Sequence, residues 1–167
     1  MFAALMLATV ACDDKDEDDV TNVTAEVDKQ FLLNASDGSL FEVNAGQVAT
    51  SKGTSASIQN FGQEMVDDHT EMTQEIGALA NNNNVDLPTT LSDKMQLKLD
   101  TLSALSGMAF DTTYIKMMVS SHLETVDLFE KQAATSQNNE LKAWSADRLP
   151  ELRGHLDRAK SLRDSIQ

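Results

Sequence analysis

The sequence predicts an all-α fold: a four-helix bundle in which two helical hairpins are joined by a long crossover containing a short extra helix. Apolar residues recur three and four positions apart over most of the chain, as one face of an α-helix requires. Only 5% of the 167 residues are aromatic, and Ala, Leu and Met fill the apolar positions instead. The chain has only two Pro and seven Gly, which are too few for the many tight turns of a β-sheet protein.

Two long helices form the first predicted hairpin. The first runs from about Ala25 to Lys52, and its apolar face carries Phe31, Ala35, Gly38, Glu42, Ala45 and Ala49. Gly53 ends this helix, and Thr54 and Ser55 provide an N-cap for the next one. The second helix runs to about Asn81, with its stripe at Ile58, Phe61, Met65, His69, Met72, Ile76 and Leu79.

The crossover and the second hairpin follow. Four Asn and Pro88 break the second helix, and a short helix is predicted near 92–106. Asp111 is a plausible N-cap for a long helix to Thr135, whose stripe is Ile115, Met118, His122, Val126 and Phe129. The last helix begins near Asn139, and we expect Pro150 to kink or restart it. Its stripe is Leu152, His155, Ala159, Leu162 and Ile166. This connectivity is ferritin-like in outline.

The N-terminus indicates export and anchoring. Residues 1–11 are uncharged and apolar, typical of a signal peptide and too short to span a bilayer. Cys12 follows a small residue, as at the lipidation site of a bacterial lipoprotein. No Lys or Arg precedes the apolar run, so a start upstream of Met1 stays open. Residues 12–24, the lipidated cysteine and its acidic run, are predicted to be a solvated tether, and 25–167 the bundle domain.

The formal charge of −14 argues against nucleic acid as a partner, because phosphate binding needs a basic surface. An anionic membrane surface would also repel so acidic a chain unless something covalent held it there, so we expect attachment to the membrane through lipid at Cys12. The acidic run after Cys12 resembles the surface-export signal of Bacteroidota lipoproteins, and this resemblance implies the outer membrane, facing either the periplasm or the cell surface. No protein partner can be named.

The three histidines of the chain fall on the apolar stripes of three different long helices at similar depth. His69, His122 and His155 could therefore converge, with Glu42 of the first helix at the same level. Imidazoles with one carboxylate suit zinc, copper or iron, and Asp68, Glu124 and Glu151 are near enough in sequence to orient the rings. Simple packing, or a cluster that charges as the pH falls through about 6.5, are the alternatives.

No catalytic constellation is predicted, so the protein is not expected to be an enzyme. A di-iron oxidase requires Glu-x-x-His on two helices, whereas the residues three before the histidines are Val66, Val119 and Leu152. Ser120, Ser121 and His122 are merely consecutive on a helix. Two hypotheses lead: a non-enzymatic envelope module, and a metal-binding or metal-buffering protein. A small-molecule hydrolase or oxidase is a third and disfavoured hypothesis.

Five short segments resemble a known family. They are Phe41-Glu42-Val43 with Gln47-Val48-Ala49, the run Phe61 to His69, Phe110 to Tyr114, Met118 to His122, and Leu149 to Leu152 leading to His155. Their order and spacing resemble the domain of unknown function 4142 family of predicted exported bacterial proteins. The resemblance covers roughly residues 25–165 and implies a ferritin-like bundle in the cell envelope. It implies recurrent family positions at Glu42, Asp68, His69, Phe110 to Tyr114, His122 and His155, but no activity.

Overall fold

The computed structural model describes residues 15–166, with side chains from residue 26 onward. Five helices make up this part of the chain: α1 (Lys15–Lys52), α2 (Ala56–Asn82), α3 (Asp93–Ser103), α4 (Gly107–Thr135) and α5 (Asn139–Ser165). No strand occurs between residues 15 and 166, which confirms the predicted all-α bundle. The signal peptide assigned to residues 1–11 and the lipidation site at Cys12 lie outside the described residues.

Hydrogen bonds at the helix ends define how the four long helices are arranged. Asp111 near the start of α4 accepts from Thr54 at the end of α1, while Gln132 near the end of α4 donates to Asp28 on α1. α1 and α4 are therefore antiparallel. Asn82 at the end of α2 donates to Glu140 at the start of α5, so these two are antiparallel as well.

The crossover from α2 to α4 returns along α1 and contains α3. Its Ser92 donates to Asp37 in the middle of α1, and the Ser103 carbonyl accepts from Lys52 at the end of α1. The crossover thus runs the length of the bundle, and α2 and α4 are parallel. This is the predicted pair of hairpins with one long connection.

Three local expectations require correction. α1 begins at Lys15 rather than Ala25, so most of the predicted tether, 12–24, is helical. An acidic run without Pro or Gly is compatible with a helix N-terminus, because the macrodipole favours negative charge there. Asp111 does not cap α4, which begins four residues earlier at Gly107 after Ser106. Pro150 does not interrupt α5. It leaves the carbonyl of Ala146 without its helical donor, and Ala146 is exposed, so water can take the donor's place.

The core consists of two apolar clusters. One includes Phe41, Phe61 and Tyr114, and the other is built around Phe31 and Phe129, whose rings meet edge to face at 5.2 Å. All seven residues of the stripe predicted for α2 are buried. Among the described residues, no helix has a stretch both long and apolar enough to cross a bilayer.

Candidate metal centre

The three histidines come from three different helices and meet inside the bundle. His69 lies near the middle of α2, His122 near the middle of α4 and His155 just past the middle of α5. The side chains of His69 and His122 are 1% and 0% exposed, and that of His155 is 4% exposed. Their ring centroids are 5.4 to 5.6 Å apart. One ring nitrogen from each lies within 4.8 Å of the others.

Helical periodicity explains why these rings converge. Each histidine occupies a position of its helix's apolar stripe, flanked at spacings of three and four by buried residues such as Met65 and Met72 on α2. The stripe turns all of these side chains toward the bundle axis. Because α2 and α4 start at the same end, positions near their middles come to the same height.

Glu42 of α1 completes the arrangement from the fourth long helix. Its side chain is 1% exposed, and both of its oxygens have partners. Oε2 lies 2.8 Å from Nε2 of His69. Oε1 lies 3.4 Å from Nδ1 of His122 and accepts a hydrogen bond of 2.6 Å from Oγ of Ser121. Glu42 thus contacts two of the three rings, and its role as a metal ligand stays a prediction.

On each ring, one nitrogen faces an acceptor. Nδ1 of His122 donates to the Met118 carbonyl at 3.0 Å, and Nε2 of His155 donates to Oδ2 of Asp68 at 2.8 Å. Nε2 of His69 faces Glu42 at a distance suited to an ion pair, although the contact is not aligned as a hydrogen bond. An acceptor at one nitrogen keeps the proton there, so in a neutral ring the lone pair is on the other nitrogen.

Those other nitrogens are Nδ1 of His69, Nε2 of His122 and Nδ1 of His155. All three are buried and have no hydrogen-bond partner. An unpaired buried polar group costs about 1–3 kcal/mol, so three of them in one place are unusual. Buried ring nitrogens that lie together without a partner are positions that a metal ion would occupy.

The charges inside the site are coupled. Burial alone would raise the pKa of Glu42, but attraction to His122 and His69 and the hydrogen bonds it receives hold that pKa well below its usual value. Burial alone would lower the pKa of His69, but the charge of Glu42 raises it above the ordinary value. The pKa of His122 is lowered by its burial and by the neighbouring histidines, against an opposing attraction from Glu42. His122 thus favours the neutral form that ligates metals.

The three residues predicted to orient the imidazole rings differ in whether they contact a ring. Asp68 is in place, although it contacts His155 of α5 and not its sequence neighbour His69. Glu124 is exposed and accepts from Ser120, so its assignment was wrong: proximity in sequence did not establish which way its side chain points. Glu151 pairs with Arg148 and acts on His69 only through its charge.

Sequence reasoning missed Ser121 and gave Tyr114 only as part of the family resemblance, without a role in the site. Ser121 is 5% exposed and donates to Glu42, and its only sequence signal was its position beside His122. The hydroxyl of Tyr114 is buried without a partner. Burial and the nearby charges of Glu42 and Glu64 raise its pKa, so it stays a neutral phenol.

Three imidazoles with anchored rings form a set that suits a borderline transition metal. Zinc binds imidazole nitrogen at about 2.0–2.1 Å, and three-histidine sites leave a fourth position for water or another ligand. Copper and iron also accept imidazole. The fold and this cluster define an all-α bundle protein with a buried three-histidine centre.

The comparisons with known proteins establish the family. The family model described as Domain of unknown function (DUF4142) matches residues 15–162. The chain belongs to this family, which confirms the resemblance seen in the sequence. No curated protein and no solved structure matches the chain.

Proposed function

We propose that this protein is a lipid-anchored envelope protein whose bundle binds one divalent transition-metal ion at His69, His122 and His155. The observation that carries the proposal is the direction of the three rings. One nitrogen of each ring faces an acceptor, the other nitrogen is buried without a partner, and ring nitrogens of the three histidines lie within 4.8 Å of one another. Packing alone gives no reason for three buried, unpartnered ring nitrogens to lie in one cluster.

The polar contacts around the rings support a binding role. Glu42 and Asp68 are carboxylates that hold imidazoles by their distal nitrogens, as carboxylate–histidine–metal arrangements do. Such contacts fix the tautomer and raise the basicity of the ring. Zinc, copper and iron(II) all suit this donor set, and binding or buffering of metal in the envelope is the activity we assign.

Metal content and thermal unfolding test the proposal together. The protein is purified without chelator, loaded with Zn²⁺, desalted and analysed for metal, and then melted with and without EDTA. We expect about one equivalent. Metal at 100 times its dissociation constant adds about 2.7 kcal/mol to the free energy of unfolding, a shift in melting temperature of about 5–10 °C for a chain of this size. Substoichiometric metal and identical melts would contradict the proposal.

A matched pair of variants separates ligation from stability. His122→Leu removes a ligand, so both bound metal and the EDTA-sensitive shift should disappear. Gln132→Leu removes another buried polar side chain of α4, about 15 Å further along the helix, and breaks its bond to Asp28. Gln132→Leu should lower the melting temperature yet keep one equivalent of metal. Equal metal content in both variants would exclude His122 as a ligand.

The anchor is tested separately through Cys12. In a native host, Cys12→Ser should move the protein from the membrane fraction to the soluble fraction, because each buried lipid CH₂ contributes about 0.8 kcal/mol to membrane binding. Retention of the serine variant in membranes would count against lipidation. The metal proposal does not depend on this result.

A further inference from the structure

A second group of ligands shares His155 with the buried centre. Glu64 and Asp68 lie four residues apart on α2, and therefore on one face of that helix. A carboxylate oxygen from each and a ring nitrogen of His155 all lie within 4.8 Å of one another. Unlike the three rings, these carboxylates reach solvent, since the side chains of Glu64 and Asp68 are 28% and 38% exposed.

The buried rings themselves offer an incoming ion little surface. The other groups that contact them are equally enclosed: Glu42 is 1% exposed and Met118 is fully buried. Asp68 is the contacting group that is both charged and accessible to solvent. An ion that binds to Glu64 and Asp68 is already in contact with one of the three histidines.

One unpaired atom shows that this outer group is incompletely satisfied. Oε2 of Glu64 is shielded from solvent and has no aligned hydrogen bond, although Nη1 of Arg158 lies 3.1 Å away. The side chain of Arg158 is half exposed, so it can leave Glu64 at little cost.

A cavity on another side of the bundle is a poorer approach. Its volume is about 490 Å³, and Ser121 contributes to its wall. The Ser121 hydroxyl already donates to Glu42, so an ion arriving there meets an occupied group and not a free ligand atom.

We propose that Glu64, Asp68 and His155 form an outer site for divalent transition-metal cations, through which ions reach the three-histidine centre. This inference rests on the proposed function of that centre. Arg158 occupies the outer site in the absence of metal and competes with the incoming cation for Glu64. No bond other than metal–ligand contacts forms or breaks in the transfer.

The rate of Co²⁺ uptake by the full-length apoprotein tests the route, followed by stopped-flow absorption of the tetrahedral ion. Glu64→Gln removes a ligand but leaves the hydrogen bond between His155 and Asp68 intact. The matched control is Glu75→Gln, since Glu75 is also on α2, is 29% exposed and pairs with Arg148. We expect uptake to slow by about tenfold in Glu64→Gln, with the final stoichiometry unchanged, and to keep the wild-type rate in Glu75→Gln.

Arg158→Gln provides the opposite change. Removing the competing cation should speed uptake several-fold, which loss of stability alone would not do. Equal rates for the Glu64 and Glu75 variants, or no acceleration in the Arg158 variant, would overturn the outer site while leaving the buried centre in place. If the wild-type protein binds no Co²⁺ at equilibrium, both the outer site and the proposed function fail.

Discussion

Glu42→Gln tests whether the buried carboxylate is the charge that organises the histidines. The substitution keeps the shape of the side chain and an acceptor for Ser121, but it removes the negative charge beside His69. The substitution removes the ion pair with His69 and leaves the Ser121 hydrogen bond with a neutral acceptor. Because a hydrogen bond to a charged group contributes about 1.5–3 kcal/mol, more than one to a neutral group, we expect the metal-free protein to lose about 2 kcal/mol near pH 6. For a chain of this size that loss lowers the melting temperature by about 4–8 °C.

The loss should depend on pH in a defined direction. The folded-state pKa of Glu42 is lowered, so its stabilisation is present above about pH 4.3, the value in an unfolded chain, and is lost on further acidification. The folded-state pKa of His69 is raised, so its stabilisation is complete below about pH 6.5 and disappears as the pH rises through the folded value. The difference between wild type and Glu42→Gln should therefore be largest between about pH 4.5 and 6.5 and smaller at pH 9.

Thermal and urea unfolding in EDTA at pH 5, 6, 7, 8 and 9 measure this difference without bound metal. Asp28→Asn is the matched control, because Asp28 is a buried carboxylate of α1 whose partners are the neutral side chains of Gln132 and Ser136. Its loss of stability should stay constant from pH 6 to pH 9. A Glu42→Gln protein as stable as wild type at pH 6, or a difference that does not change with pH, would refute the coupling.

Two further substitutions test how the helices are held around the site. Gly46→Ala should lower the free energy of unfolding by about 1–3 kcal/mol, because its Cβ would lie 2.6 Å from the carbonyl oxygen of Gly62. In the control Gly77→Ala, the new Cβ meets nothing within 4 Å, so this substitution should raise the free energy of unfolding by about 0.5–1 kcal/mol. Equal effects of the two substitutions in urea unfolding would exclude a tight contact between α1 and α2. Asp111→Ala should cost about 1–3 kcal/mol, because the backbone N–H of Thr54 loses its acceptor; an unchanged urea midpoint would show that water replaces the carboxylate.

The architecture could be predicted from the sequence where the periodic pattern is long and uninterrupted. The apolar stripe predicted for α2 was confirmed because its positions recur at helical spacing over nearly the whole helix. Ser55 was correctly predicted as an N-cap, since its side chain accepts from the N–H of Ile58. The predicted start of α4 was wrong because Asp111 accepts from Thr54 instead of capping the helix. The predicted start of α1 was wrong because the acidic run before Ala25 contains no Pro or Gly and is compatible with a helix N-terminus.

The convergence of the histidines could also be predicted, since it follows from stripe position and height alone. The partners of the rings could not. Asp68 precedes His69 in sequence yet bonds to His155 across the bundle, whereas Glu124, close to His122 in sequence, faces solvent. The acceptor that each ring nitrogen contacts depends on side-chain rotamers and on the crossing angles of the helices. The spacing of residues in the sequence determines neither of these.

The position of the site in the core explains how the fold tolerates it. One apolar cluster contains Met65 and Met118, and the other contains Met72 and Leu152. Each of these residues lies three or four positions from the histidine of its own helix. The histidines and Glu42 thus form a polar layer between two clusters that supply the hydrophobic stabilisation. Three unpaired nitrogens could cost several kcal/mol, a large share of the 5–15 kcal/mol typical of a domain. A layer with only a packing role would gain by replacement with apolar side chains, whereas an ion bound to the three nitrogens would remove that cost.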